Sequence, residues 1–428
     1  MSLLIKNVSV YRDGKIFDGQ NIAVKDTRII GFPQNPEEKE FDRLIDGKGK
    51  LALPGLVNTH THVAMTLFRS YADDMALMDW LENKIWPAER NLDDDIVYWG
   101  SMLAFAEMIR GGTTAFCDMY MHMDACARAA DQAGMRGNLA RGLAGVTPNG
   151  DAALAENIEL FQAWNGKGEG RFKVMLGPHA PYTCPPDYIR KVVKAAEKNR
   201  IPIHIHLSET KGEVEDCVKK YGMSPIALMN DLGLFTLPTL AAHCVHINDE
   251  DIEILRKHHV KVAHNPGSNM KLGSGFAPVT KMRKAGVMVG LGTDGASSNN
   301  KLDMFSEMRL AALIHKGNEL DPLAITAKEA FDMATVQGAS CLGYTDLGKL
   351  DAGYLADIVL VNRDGFHWLP DFDDISILVY AGNSMDVDTV IINGNPVMEH
   401  GELVTIDTER LTFEVKRVCA KLYHGTHS

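Results

Sequence analysis

The chain has 428 residues, enough for one large domain with a smaller one beside it. Hydrophobic residues make up 45% and charged residues 23%, a soluble globular composition, and the formal net charge of −12 leaves no basic stripe for nucleic acid. No run of about 18 apolar residues is present to span a membrane, and the N-terminal MSLLIKNVSVYRDGK alternates polar and apolar residues without the apolar core of a signal peptide.

Residues 1–50 read as short strands, SLLIKNVSVY, NIAVKDTRIIGF and FDRLIDGKGKLAL, punctuated by turns at Asp13-Gly14 and Asp46-Gly47. From there apolar runs alternate with helical patterns. The strands expected are LALPGLVNTHTH (51–62), TTAFCDM (113–119), RGNLARG (136–142), RFKVMLGPHA (171–180), IPIHIHLSE (201–209), PTLAAHCVH (238–246), VKVAHNP (260–266) and VMVGLGTDG (287–295). Between them lie amphipathic stretches such as IVYWGSMLAFAEMIRGG, PPDYIRKVVKAAEKNR and NDEDIEILRKHH. Eight strands alternating with helices over about 250 residues suit a TIM-type (β/α)8 barrel, with a doubly wound open sheet as the competing α/β arrangement. Beyond it, ADIVLVNRD (356–364), TVIINGNPVM (389–398) and LVTID (403–407) are again short strands, and DTERLTFEVKRVCAKLYHG is helical. Two all-β pieces at opposite ends can pair into one small composite β-sandwich. The expected division is therefore 1–57 and 356–428 in the sandwich and C-terminal helix, and 58–355 in the barrel. Seven scattered cysteines without a CxxC read as reduced thiols filling cores, which points to a cytoplasmic protein.

The polar residues at the C-terminal ends of the expected strands are His60 and His62, His179, His206 and Glu209, His243, His264 and Asp294. In a barrel those ends face the active site. Side chains alternate along a strand, so His60 and His62 point the same way and can reach one ion at about 2.0–2.1 Å. His206 and Asp294 would complete the set. Three imidazoles and a carboxylate suit a divalent ion such as zinc or iron(II). An isolated His-x-His is more often a surface or hydrogen-bonded core pair. The weight rests on the joint pattern, since several apolar strand ends each carry a ligand-type residue whose burial is otherwise costly. His246 and His264 read as non-ligands, His264 ordering a loop with Asn265-Pro266.

The segments PGLVNTHTHVAMTLFRSYADDMALMDWLENKIWPAE, LGPHAPYTC, IHIHLSET, AAHCVHI, AHNPGSNMKLGSG and GLGTDGASSNN together resemble the amidohydrolase superfamily. Within it they resemble the 5′-methylthioadenosine/S-adenosylhomocysteine deaminase group, over nearly the whole chain. The resemblance implies His60, His62, His206 and Asp294 as metal ligands, Glu209 as a proton shuttle and His243 as a contact to the water on the metal. It implies Glu89 as the partner of the ribose hydroxyls, with Arg141 and His179 as further substrate contacts. Binuclear amidohydrolases carry a carboxylated lysine at the end of strand 4; here that end reads LGPHAP and Lys173 lies near the strand start, so one metal is expected. The stretch AGVTPNGDAALAENIEL lacks the second arginine that group members often use for an amino-acid tail, which favours small 5′ substituents.

The activity expected is hydrolytic deamination of an adenosine derivative. Its partner would be a small nucleoside, not nucleic acid or membrane, and a homo-oligomer is expected. Two rivals remain: hydrolysis of another ring, such as guanine, a pterin or a chlorotriazine, and a barrel scaffold without chemistry. Trp80 and Trp86, in the segment after strand 1, fit a lid or core packing equally well.

Overall fold

The computed structural model describes residues 1–423; residues 424–428, the end of the expected C-terminal unit, lie outside them. Five strands come first: β1 (Ser2–Arg12), β2 (Lys15–Lys25), β3 (Arg28–Gly31), β4 (Arg43–Asp46) and β5 (Lys50–Pro54). Eight follow in the middle: β6 (Leu56–Thr61), β7 (Thr113–Tyr120), β8 (Arg136–Leu143), β9 (Phe172–Pro178), β10 (Ile203–Leu207), β11 (Thr239–His243), β12 (Lys261–His264) and β13 (Val289–Leu291). The last are β14 (Ile358–Asn362), β15 (Val387–Ile392), β16 (Asn395–Glu399) and β17 (Glu402–Leu403).

Strands β6 to β13 pair in sequential order, every neighbour parallel. The seam between β13 and β6 is closed by Asp294 N–H donating to His60 O at 3.0 Å, Thr59 Oγ1 donating to Leu291 O at 2.8 Å and Thr293 N–H donating to Asn58 Oδ1 at 3.0 Å. A sequential order with that seam is a barrel, and it sets aside the doubly wound alternative. Every residue of β6 and β7 is buried, because strands covered by helices outside and side chains inside have no wet face. The helices show the complementary pattern. Pro186–Asn199 buries Tyr188, Ile189, Val192, Val193 and Ala196 at spacings of one, three and four, and stops at a left-handed Arg200. Each such large apolar side chain contributes about 1.5–3 kcal/mol when fully buried.

The run 51–62 is two strands, not the one expected. β5 pairs antiparallel with β14 in the terminal sheet, and β6 opens the barrel. Gly55 makes the crossing. A Cβ there would lie 2.1 Å from Thr114 Oγ1, so no other residue fits without moving β7. LVTID likewise shrinks to the two-residue β17, because Asp407 is already the cap of helix Thr408–Leu422, accepting from Arg410 N–H at 2.9 Å.

The terminal strands form one nine-stranded mixed sheet in the order β17-β16-β15-β14-β5-β1-β2-β3, with β4 pairing β1. It has its own core, including Leu3, Ile5, Ile22, Ile358, Leu360 and Ile391. A buried ion pair fastens it to the bottom of the barrel. Arg136, at the start of β8, donates from Nε and Nη2 to the two oxygens of Asp357 at 2.9 and 2.8 Å, and Nη2 also reaches Asn393 Oδ1. After β6 the chain runs through short helices at Leu77–Trp80 and Trp86–Glu89. Trp80 is buried in the main core and Trp86 packs half-buried against it, so core packing describes Trp80. No helix among the described residues is long and apolar enough to cross a membrane.

Candidate metal centre and active site

At the C-terminal rim of the barrel four rings and one carboxylate converge. Ligand-type atoms of His60, His62 and His206, and of His60, His243 and Asp294, form two overlapping groups within 4.8 Å. The hydrogen bonds behind these rings set which nitrogen faces inward. His62 Nδ1–H donates to Met119 O at 2.6 Å and His206 Nδ1–H to His179 O at 2.8 Å, so each turns its Nε2 to the centre. For His60 the logic runs through a second histidine. His204 Nδ1–H donates to Leu240 O at 3.2 Å, its Nε2 therefore accepts from His60 Nδ1–H at 2.8 Å, and His60 Nε2 is left as an acceptor.

That inward set asks for a cation. His60 Nε2 is wholly buried with no hydrogen-bond partner. It lies 3.3 Å from Asp294 Oδ1, and His62 Nε2 lies 3.2 Å from the same oxygen. Donors on a tetrahedral zinc at about 2.0–2.1 Å stand about 3.3 Å apart, so this spacing fits ligation. Burial drives His60 down to about 4 and holds it neutral. Burial lowers His62 as well, but the Asp294 carboxylate more than offsets this and pushes it up to about 9, so a metal entering here displaces a proton. The other oxygen of Asp294 accepts from Ser268 Oγ at 2.6 Å and Ser298 Oγ at 2.9 Å, which fixes the carboxylate's rotation. Asp294 itself is left-handed, with φ of 60°.

Beside the cluster, Glu209 Oε2 lies 3.8 Å from His243 Nε2. Glu209 is buried, and burial raises its pKa. His243 Nδ1–H donates to Asn269 Oδ1 at 2.8 Å, so the inward Nε2 is an acceptor. The arrangement can hold a cation and place a proton donor and a proton acceptor next to it. Lys173 is remote from it, donating to Gly343 O at 2.6 Å near the start of β9.

Residues 51–397 match the family model of the amidohydrolase family. The chain belongs to the amidohydrolase family. It is 50% identical over 417 residues, 97% of this chain and 98% of the relative, to a 5-methylthioadenosine/S-adenosylhomocysteine deaminase of Dictyoglomus turgidum. The solved structure of an adenosine deaminase from Xanthomonas campestris with bound zinc superposes with a TM-score of 0.93 at 32% identity, covering 99% of this chain and 98% of that one. An atrazine chlorohydrolase from Arthrobacter aurescens TC1, complexed with zinc, superposes with a TM-score of 0.90 at 25% identity, covering 97% and 100%.

The remaining candidate residues of this amidohydrolase ring the cluster at different distances. The His179 ring centroid is 4.9 Å from that of His206, and Thr183 Oγ1 holds its Nδ1 at 2.9 Å. Glu89 is tied to the site through β7: Tyr120 OH donates to its Oε1 at 2.6 Å, and the Tyr120 ring is 6.1 Å from that of His62. Burial pushes Glu89 up to about 7, though Tyr120 pulls the other way. Arg141 Nε donates to Glu156 Oε2 at 2.9 Å. His264 faces away; its Nε2 is 3.1 Å from Nε2 of the buried His315, a core pair in place of the loop contact expected. His246 donates from Nε2 to Ser274 O.

Sequence reasoning did not single out His204, Ser268, Ser298, Asn269 or Tyr120. His204 carried a signal, since IHIHL puts it two residues before His206 and therefore on the same face. Ser268 and Asn269 reach the site from the six-residue helix Pro266–Lys271 after β12, and Ser298 from the turn after β13, segments too short for periodicity to report direction.

Proposed function

We propose that this amidohydrolase is a metal-dependent hydrolytic deaminase of 5′-substituted adenosines, releasing ammonia and leaving the inosine analogue. The observation that carries it is the inward set of His60, His62, His206 and Asp294 beside the Glu209–His243 pair. The substrate class follows the relatives named as deaminases of such nucleosides. One ion per chain is proposed, held by the three histidines and Asp294, with zinc favoured by the nitrogen-rich donor set.

A divalent ion in this position supplies an activated water at neutral pH, because coordination lowers the pKa of water from 15.7 to about 7. The chain's own groups do the rest. C6 of an adenine is a poor electrophile, and Glu209, whose pKa burial raises, gives its proton to the adjacent ring nitrogen. His243 Nε2 accepts a hydrogen bond from the attacking water and orients it toward C6. Asp294 takes the proton that the water loses and hands it to the amino group. As ammonia leaves, the Glu209 carboxylate recovers a proton from the new C6 hydroxyl, which restores the acid and yields the keto purine. Glu89 accepts hydrogen bonds from the two ribose hydroxyls, since one carboxylate can serve a vicinal diol.

The 5′ group is proposed to be small. Arg141 is already paired with Glu156, and residues 144–160 contain no basic side chain to meet an amino-acid carboxylate. Ammonia release from 5′-methylthioadenosine, adenosine, S-adenosylhomocysteine, free guanine, a pterin and a chlorotriazine tests the reading. The expected order puts the first two highest. Activity confined to free bases or triazines would transfer the chain to another ring hydrolysis, and no activity in metal-loaded protein would support a scaffold.

A further inference from the structure

Glu213 is the third residue of helix Lys211–Tyr221, a place where an acid commonly serves the helix start. Here that service is already rendered: Thr210 caps the helix, its Oγ1 accepting from Glu213 N–H at 3.2 Å. A capping-box glutamate would reach back to the N–H of the cap residue itself. Glu213 reaches further. Its Oε1 accepts from Ser208 N–H at 3.0 Å and its Oε2 from Glu209 N–H at 2.8 Å. These are the two residues that turn the chain out of β10, and Ser208 does so in the left-handed region, with φ of 53°, which a residue with a Cβ avoids. The same corner is laced to the next one. Ser208 O accepts from Val245 N–H at 3.0 Å and His246 N–H at 2.9 Å, just past His243 and Cys244, which are also left-handed. Glu209 and His243 thus stand on neighbouring strained corners, and Glu213 is the side chain that clamps the one bearing Glu209.

We propose that Glu213 is a positioning residue for Glu209: its carboxylate, bridging the amides of Ser208 and Glu209, holds the left-handed turn that keeps the Glu209 carboxyl beside His243. This rests on the proton-transfer role proposed above for Glu209. Leaving a buried backbone amide unpaired at such a turn corresponds to about a ten- to hundredfold change. The test is a double-mutant cycle in zinc-loaded protein. Glu213→Gln keeps the shape but offers one acceptor oxygen and turns an NH2 group toward the second amide; Glu213→Ala removes both acceptors. Each should lower kcat for 5′-methylthioadenosine about ten- to hundredfold, with KM and metal content little changed. In a Glu209→Gln background the same substitutions should cause almost no further loss, because there is no shuttle left to position. An equal fold-loss in both backgrounds, or none in either, overturns the proposal. Hydrogen exchange supplies a readout independent of turnover: the peptide spanning residues 207–210 should exchange faster in Glu213→Gln, and an unchanged rate there overturns the clamp. Failure of the deaminase reading shows differently, as a wild-type protein that releases no ammonia or a Glu209→Gln variant that retains turnover, and the exchange comparison then still decides the clamp.

Discussion

Replacing His204 by leucine tests how the metal centre is built, because His204 hydrogen-bonds to the centre through His60. Leucine removes the acceptor that takes the His60 Nδ1 proton at 2.8 Å. His60 is wholly buried, so its ring has two options. It can keep the Nδ1 proton without a partner, which costs about 1–3 kcal/mol. Alternatively it can move the proton to Nε2, where it satisfies Asp294 but can no longer ligate. The metal-free ring relaxes to the second form, so binding must return it to the first. At 1.4 kcal/mol per factor of ten, that difference predicts a zinc Kd raised about ten- to hundredfold, the range seen when partners behind ligating histidines are removed. Metal-stripped protein titrated with zinc against a competing chelator gives that Kd. Glutamine at the same position can offer its carbonyl oxygen to His60 Nδ1–H and should recover part of the loss. A leucine variant that binds zinc within twofold of wild type would refute the tautomer argument and with it the inward lone pair on His60.

Glu209→Gln should retain its metal while kcat falls about 10²–10⁴-fold, because an amide cannot give and recover the proton; steady-state ammonia release with parallel elemental analysis checks both halves. Adenosine should exceed 2′-deoxyadenosine about ten- to hundredfold in kcat/KM, and Glu89→Ala should flatten that ratio, whereas damage to the surrounding segment alone would lower both substrates equally. Asp357→Ala leaves the Arg136 guanidinium buried between barrel and terminal sheet without its carboxylate, so urea denaturation should show about 3–5 kcal/mol of lost stability, against a much smaller change for the exposed pair Arg190–Asp187.

How far the sequence foretold this molecule differs by level. Strands buried on both faces advertise themselves as apolar runs, so the eight strands and their alternation with helices were readable, and the polar residues ending those runs stood out against them. His60, His62, His206, His243 and Asp294 converge for that reason. What one strand shows of itself does not report what lies across the barrel. The partnership of His60 with His204 joins β6 to β10, and the serines that hold Asp294 come from a short helix after β12 and a turn after β13. The division of residues 51–62 into two strands of different sheets depends on a contact with β7, since the closeness of Thr114 makes Gly55 the break. Arg141 illustrates the opposite case: its place at the end of β8 was readable, its pairing with Glu156 was not.

One metal-dependent site is proposed to deaminate small 5′-substituted adenosines. The most direct measurement is kcat/KM for ammonia release from 5′-methylthioadenosine by metal-stripped protein as zinc is added back, with S-adenosylhomocysteine and free adenine in the same buffer. Activity should rise with zinc to a plateau at one ion per chain, 5′-methylthioadenosine should be the better nucleoside, and adenine should lag far behind both. Full activity in stripped protein, a plateau only at two ions per chain, or a clear preference for S-adenosylhomocysteine or the free base would contradict the proposal.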